Sequence, residues 1–352
     1  MFTDQPAQTK NWCKNMIQSP VFIIGCPRSG TTLLFNVLSE VSSLWSIGYE
    51  SKEIIEKFHH PAEKGWESGA LDAGDVTPLS RAFILDAFEK QSASGDFWRR
   101  VNSLRDGLRK NSLYRAIKKK GRAADAVGAL SSAIPQQGLD MVRTLVRLRN
   151  TILPFGKPSV VRLLEKTPEN CLRLPFLLEL FPDARVIYLT RDARPNVHSI
   201  MEGWRQVHAF PGYRVPEQIR IPGDVRGRWA FSLIPGWREL VDKSLEEVCA
   251  WQWVRCNEAV LTHRDQTRGR VPYLTLRYED LVADPSQEFK KIADFIQVDF
   301  ETSFRDFASG LPKINVVSDP DPDKWRKKNG AAIERILPIV QPVMDRLGYD
   351  SV

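Results

Sequence analysis

The sequence predicts an α/β fold: a parallel sheet with helices on both faces and a largely helical insertion. Two patterns carry that expectation. Short apolar runs alternate with helical stretches along the chain, and strands alternating with helices build a parallel sheet covered on both sides. The run 21–35, VFIIGCPRSGTTLLF, reads as a buried strand, a tight glycine-containing turn and the start of a helix. At 352 residues, 42% of them hydrophobic and 26% charged, the chain can bury a large core.

Taken in order, residues 21–25 form the first strand and 31–41 its helix, with Thr31 and Thr32 suited to a helix start because a hydroxyl can accept from an early N–H. Residues 57–159 read as mostly helical, punctuated by glycines. The apolar run 160–164 is a second buried strand. Residues 171–181 are helical, with Leu174, Leu177, Leu178 and Phe181 on one face. Pro182-Asp183 marks a turn before the β-rich strand 185–190, RVIYLT. Pro195 opens a helix to about Arg205. The segment 211–235 holds four prolines and several glycines and reads as a long irregular loop. A long helix over 237–263, a strand over 271–276 and helices over 287–296 and 331–347 complete the chain.

Composition narrows the class of protein. No run of about 18 apolar residues occurs, so no transmembrane helix is expected. The opening MFTDQPAQTKNWCKNM lacks the apolar core of a signal peptide. Cys13, Cys26, Cys171, Cys249 and Cys256 are widely spaced and form no CxxC pair. Reduced thiols in a cytoplasm are expected, with neither a zinc site nor a disulfide framework. The net charge of +7 is local: 97–122 holds ten basic residues against the single acid Asp106. Phe97, Val101, Leu104 and Leu108 recur there at helical spacing, so a solvated helix face is the plain reading. An anionic membrane surface, an acidic carrier protein or an anionic substrate are its functional options. No RNP, KH or zinc-finger pattern accompanies the charge, so nucleic acid is not expected.

The turn after the first strand is a phosphate cradle, because backbone N–H groups and the dipole at a helix N-terminus hold anions. Gly25, four residues and Gly30 match the P-loop spacing, but Thr31 stands where a nucleotide kinase or ATPase has its lysine. That argues against ordinary triphosphate chemistry and leaves Arg28 as the cation inside the turn. Ligands of open parallel sheets sit at the carboxyl ends of strands. The strand ends here carry Pro27-Arg28-Ser29-Gly30-Thr31-Thr32, Glu165-Lys166-Thr167-Pro168 and Thr190-Arg191-Asp192-Ala193-Arg194, followed by His198 and Ser199. Basic groups after successive strands suit an anion with more than one phosphate.

These segments resemble the sulfotransferases that use 3′-phosphoadenosine-5′-phosphosulfate (PAPS). PRSGTT resembles their 5′-phosphosulfate loop. Arg191 and Ser199 resemble their 3′-phosphate pair, and Tyr278-Glu279-Asp280-Leu281, Lys324-Trp325-Arg326 and Leu347-Gly348-Tyr349 resemble later segments. The pattern is similar to that shared by bacterial and tyrosylprotein sulfotransferases. It covers roughly 20–56, 160–205, 271–298 and 313–349. The resemblance implies a P-loop-like fold in one domain over 1–352, with the helical insertion at about 57–159 and an acceptor-side loop and helix at about 206–270. It implies transfer of a sulfuryl group by in-line displacement to a hydroxyl, ahead of an amine, of a small-molecule, lipid or carrier-tethered acceptor, with no metal required and adenosine 3′,5′-bisphosphate (PAP) as product.

By the same resemblance Glu50 is the catalytic base, Lys166 steadies the bridging oxygen and Arg28 stabilises the sulfuryl oxygens. Arg28, Ser29, Gly30, Thr31, Thr32, Arg191, Ser199, Tyr278, Lys324 and Arg326 hold the donor. Gly203 stands where the tyrosylprotein branch has a further donor-binding arginine, and Arg194 or Arg205 could replace it. His59 and His60 are the alternative bases, since histidine serves in some sulfotransferases. A cytoplasmic enzyme, with peripheral membrane contact an option, is the expected setting. A P-loop small-molecule or nucleotide kinase, or a non-catalytic anion-binding module on the same fold, are the rival readings.

Overall fold

The computed structural model describes residues 17–110, 158–206, 212–221, 227–308 and 323–349, together with 146, 148 and 210. Six strands form the central sheet: β1 (Val21–Ile24), β2 (Leu44–Ser46), β3 (Ala93–Ser94), β4 (Arg162–Lys166), β5 (Arg185–Thr190) and β8 (Tyr273–Arg277). Two more, β6 (Gly212–Tyr213) and β7 (Trp229–Ala230), pair only with each other. The sheet order is β3-β2-β4-β1-β5-β8. Every pairing is parallel except the β2–β3 edge. Val21 of central β1 lies opposite Leu164 on one side and Arg185 on the other.

Among the described residues the helices are α1 (Thr31–Leu38), α2 (Lys52–His59), α3 (Pro78–Gln91), α4 (Gly95–Lys110), α5 (Leu174–Leu180), α6 (Ala193–Trp204), α7 (Leu245–Gln266), α8 (Tyr278–Ala283), α9 (Pro285–Ile296), α10 (Phe300–Ala308) and α11 (Lys324–Arg346). They cover both faces of the sheet. Strand alternation sends Val21 and Ile23 into a core with Leu34, Phe289, Ile292 and Phe304 from α1, α9 and α10. Phe22 and Ile24 point the other way, into the larger core built with α5, α6, α7 and α11. Trp204, Trp229, Trp237 and Trp253 are fully buried there, so the tryptophan-rich segment is core.

Several sequence expectations need correction. The helix expected over 237–263 is a 3₁₀ turn, Trp237–Leu240, followed by α7. The new start is set by Ser244, which accepts from the Glu247 N–H while the Glu247 carboxylate takes the Ser244 N–H, a reciprocal cap. The loop expected over 211–235 contains the β6–β7 pair. The helix expected over 171–181 divides into a 3₁₀ turn, Pro168–Leu172, and α5. The second strand runs further than 160–164, as far as Lys166. Within 57–159 the described part is mostly helical but includes β3. Of the basic stretch 97–122, residues 97–110 lie on α4, and 111–122 lie outside the described residues. Cys26, Cys171, Cys249 and Cys256 are buried free thiols. No helix among the described residues is long and apolar enough to cross a membrane.

Candidate active site

The five parallel strands deliver one chemical group each to the same edge of the sheet. In sheet order these are Glu50 beyond β2, Lys166 at the end of β4, the Arg28 turn after β1, Arg191 after β5 and Tyr278 after β8. The order reverses at β1, where crossovers leave in opposite directions, and a crevice at the carboxyl ends is expected at such a point.

The turn after β1 is held in a conformation few residues accept. Arg28 has φ 70° and Gly30 φ 102°, both left-handed. Gly30 precedes α1 with no side-chain cap, which leaves the helix N-terminus to serve an anion. A Cβ on Gly30 would lie 2.4 Å from Tyr278 Cδ2, so Tyr278 closes over the turn. Asn196 Nδ2 donates to the Pro27 carbonyl at 2.9 Å and Arg191 Nη1 to the Arg28 carbonyl at 3.0 Å. The turn is thereby tied to the β5–α6 segment.

Two guanidinium groups meet at this turn. Arg28 Nε donates to Ser199 Oγ at 3.2 Å, and its guanidinium lies 4.6 Å from the Phe210 ring centre. The Arg191 guanidinium stacks 4.4 Å from the ring centre of Tyr278. Burial, and then the like charge of Arg191, push Arg28 below the usual arginine range. An anion placed between them would offset that repulsion. Ser29 Oγ and Arg191 Nε are buried with no hydrogen-bond partner among the described residues. These residues fit a phosphorylated donor.

On the other side of β1, Lys166 Nζ donates to Glu50 Oε1 at 2.6 Å and to Thr32 Oγ1 at 3.2 Å. The Lys166 side chain is 5% exposed and that of Glu50 33%. The carboxylate therefore faces the opening, with the cation beneath it. His59 packs edge-on against Phe176. His60 Nδ1 accepts from the Ala62 N–H at 3.2 Å, capping a 3₁₀ turn. His59 Nε2 is buried with no hydrogen-bond partner among the described residues, and Glu50 is the group beside Lys166.

The remaining sequence candidates divide. Lys324 Nζ reaches Glu202 at 2.8 Å, one helical turn beyond Ser199 on α6. Lys328 lies 3.7 Å from the same carboxylate. Glu202, Arg205, Gln206, Lys328 and Asn329 line a cavity of about 350 Å³ there. Arg326 is not brought to the turn: it is exposed and paired with Asp323 at 2.6 Å. Arg194 is committed to Asp192 through both carboxylate oxygens.

Two residues without an assigned role prove to organise the site. Glu279 accepts the Asp192 N–H at 3.1 Å and the Tyr349 hydroxyl at 3.0 Å, fixing the Arg191 turn to the C-terminal segment. Glu165, 1% exposed, accepts from Ser51 Oγ and Thr167 Oγ1, both at 2.6 Å, and from Asn170 Nδ2 at 2.9 Å. An acid directly after the apolar pair Leu163-Leu164 in the strand RLLEK is the feature that could have marked it.

The sequence matches the profile of the sulfotransferase family over residues 20–302, and the chain belongs to that family. Among curated relatives, a protein-tyrosine sulfotransferase of Drosophila melanogaster is 24% identical over 56% of this chain and 36% of its own length. Protein-tyrosine sulfotransferase 1 of Danio rerio is 22% identical over 58% of this chain and 52% of its own. The chain thus spans about half or less of these two relatives. The omega-hydroxy-beta-dihydromenaquinone-9 sulfotransferase Stf3 of Mycobacterium bovis is 21% identical over 94% of this chain and 75% of that relative. Among solved structures, the sulfotransferase domain from the curacin biosynthetic pathway covers 96% of this chain and 99% of its own at 18% identity, with a TM-score of 0.44. Sulfotransferase STF9 from Mycobacterium avium covers 95% and 78% at 18% identity, with a TM-score of 0.46.

Proposed function

We propose that this chain moves a sulfuryl group from PAPS to a hydroxyl, ahead of an amine, of a small-molecule, lipid or carrier-tethered acceptor. The observation that carries the reading is the Lys166 ammonium bridging Glu50 and Thr32 on one side of a turn whose other side meets Arg28, Ser199 and Arg191. When bound, PAPS supplies an activated sulfur and a phosphate leaving group. In-line displacement at such a centre depends on positioning and charge stabilisation. Glu50 takes the acceptor proton as general base. Lys166 supports the oxygen that departs with the phosphate. Arg28 and the α1 N-terminus stabilise charge on the sulfuryl oxygens, as preorganised donors do at an oxyanion. Arg191 and Ser199 hold the 3′-phosphate, Tyr278 lies on the adenine side and Lys324 near the phosphates.

The choice of a hydroxyl acceptor is supported by the relatives' names, which specify tyrosine and an omega-hydroxy menaquinone. The test is calorimetric binding of PAP and of ATP without magnesium, repeated on Arg191→Ala. PAP should bind more tightly than ATP. Loss of Arg191 should weaken PAP by on the order of 10²-fold, the scale for truncating one partner of a buried charge pair. ATP preference, or PAP binding indifferent to Arg191, would return the chain to a kinase-like or anion-binding reading.

A further inference from the structure

We infer that Glu165 is a positioning residue that holds Glu50 against Lys166, an inference that rests on the roles proposed above for that pair. Glu165 immediately precedes Lys166 on β4. Strand alternation therefore sends its side chain to the opposite face, where its register partner Phe22 enters the larger core. A carboxylate buried among apolar groups is costly unless hydrogen-bonded. Here three donors meet it: the hydroxyls of Ser51 and Thr167 on Oε1, and the Asn170 amide on Oε2. Burial still pushes the Glu165 carboxyl above the usual carboxylate range, while these donors and the Lys166 charge pull it down.

The identity of the donors carries the inference. Ser51 directly follows Glu50, and Thr167 directly follows Lys166. Besides sharing Glu165 Oε1, the two are joined by the Ser51 N–H, which donates to Thr167 Oγ1 at 2.7 Å. Ser51, Glu165, Thr167 and Asn170 are all at most 1% exposed, so water does not compete for these bonds. The clasp therefore locks the backbone beside the base to the backbone beside the cation. The same two backbone segments carry the Glu50–Lys166 contact of 2.6 Å. A site needed only for stability would not require a buried hydrogen-bond acceptor, because a well-packed apolar side chain often serves a buried position as well as a polar or ionic one.

The test compares Glu165→Leu, Glu165→Gln and Thr167→Val in the full chain. PAP affinity by calorimetry checks that each variant is folded with its donor site intact. Turnover is read as PAP release from PAPS with water as the sole acceptor. Water oxygen bonds to sulfur as its proton passes to Glu50 and on to solvent, the bridging S–O bond breaks with its electron pair going to the PAP phosphate oxygen, and sulfate (its remaining proton lost to solvent) and PAP leave. Glu165→Leu should keep PAP affinity and lose turnover by on the order of 10–100-fold, the scale of a small misplacement of reacting groups. Glu165→Gln should recover most of the rate. Its amide oxygen can accept both hydroxyls, and its NH₂ can meet Asn170 Oδ1, which has no partner among the described residues. If Glu165→Leu does not fold, Thr167→Val cuts the same clasp from the other side and should show the same loss.

Two readouts separate positioning from general stability. The double variant Glu50→Gln/Glu165→Leu should be no slower than Glu50→Gln alone, because a residue acting through another adds nothing once that other is gone. The crystal structure of Glu165→Leu should show Glu50 and Lys166 parted beyond about 4 Å, the limit of an ion pair. Fully additive losses, or a pair still in contact, would overturn the inference. If Glu50→Gln alone leaves turnover intact, the assignment of the base has failed, and the crystallographic separation still decides the clasp.

Discussion

At the scale of single residues, the turn after β1 shows how a motif becomes an obligation. Gly30 has φ 102°, and the Tyr278 ring occupies the space a Cβ would need. The left-handed conformation alone costs an L-residue roughly 1–2 kcal/mol, and the clash adds to it. Gly30→Ala should therefore weaken PAP binding by about tenfold or more, measured by calorimetry against the parent. Unchanged affinity would mean that Tyr278 can swing away and does not close the turn. Arg28 and Lys166 were legible in the sequence because strand ends of a parallel sheet face the ligand, whereas Glu50 was marked only by the family resemblance, since the strand before it was not read. Glu165 and Glu279 were not, because their partners, Ser51, Asn170 and Tyr349, approach only after the chain has folded. Lys324 was legible, but its pairing with Glu202 was not.

At the scale of elements, the readable strands were β1, β4, β5 and β8, whose apolar runs are long enough to stand out. The others are short: β2 has three residues and β3 two. Neither offers enough residues for a period to show. Their place is set by tertiary packing. Trp98 on α4 donates from Nε1 to the Ser46 carbonyl at 3.0 Å. Its ring lies where a Cβ on Gly48 would sit, 2.1 Å from Cη2. α4 thereby pins the Gly48-Tyr49-Glu50 loop, and Tyr49 hydrogen-bonds Gln91 at the end of α3. Trp98→Ala should cost about 3–5 kcal/mol of stability, the range for deleting a large buried aromatic, read from the denaturant midpoint. Where the variant folds, it should also slow turnover while sparing PAP affinity, since Arg28 and Arg191 stand on the far side of Lys166 in the sheet. An equal loss of PAP affinity would show that Trp98 supports the whole site rather than the Glu50 loop alone.

At the scale of the molecule, buried titratable groups set how stability responds to pH. Burial pushes His59, His198 and His263 below the usual histidine range. A group whose pKa is depressed by folding binds fewer protons folded than unfolded, so stability rises with pH across the gap between the two values. The contribution is present above the unfolded value, near 6.5, and is lost as pH falls through the folded one. The ion-paired carboxylates extend the loss to lower pH. Asp75 beside Lys64, Glu169 beside Lys52 and Glu202 beside Lys324 all lie below the usual carboxylate range. Glu165 opposes the trend, because its raised pKa favours the folded state in acid, but Glu247 and Asp299 are also lowered and add to the groups on the other side. The thermal midpoint should be highest between about pH 7 and 8, begin to fall as pH drops below about 6.5, and fall further below about 4. The site shares in this response. Protonating Glu202 removes the anion that holds Lys324 and faces His198 at 3.7 Å. A midpoint that is flat or rises between pH 7 and 5 would mean that these histidines titrate as freely in the folded chain as in the unfolded one, and that their burial carries no linkage.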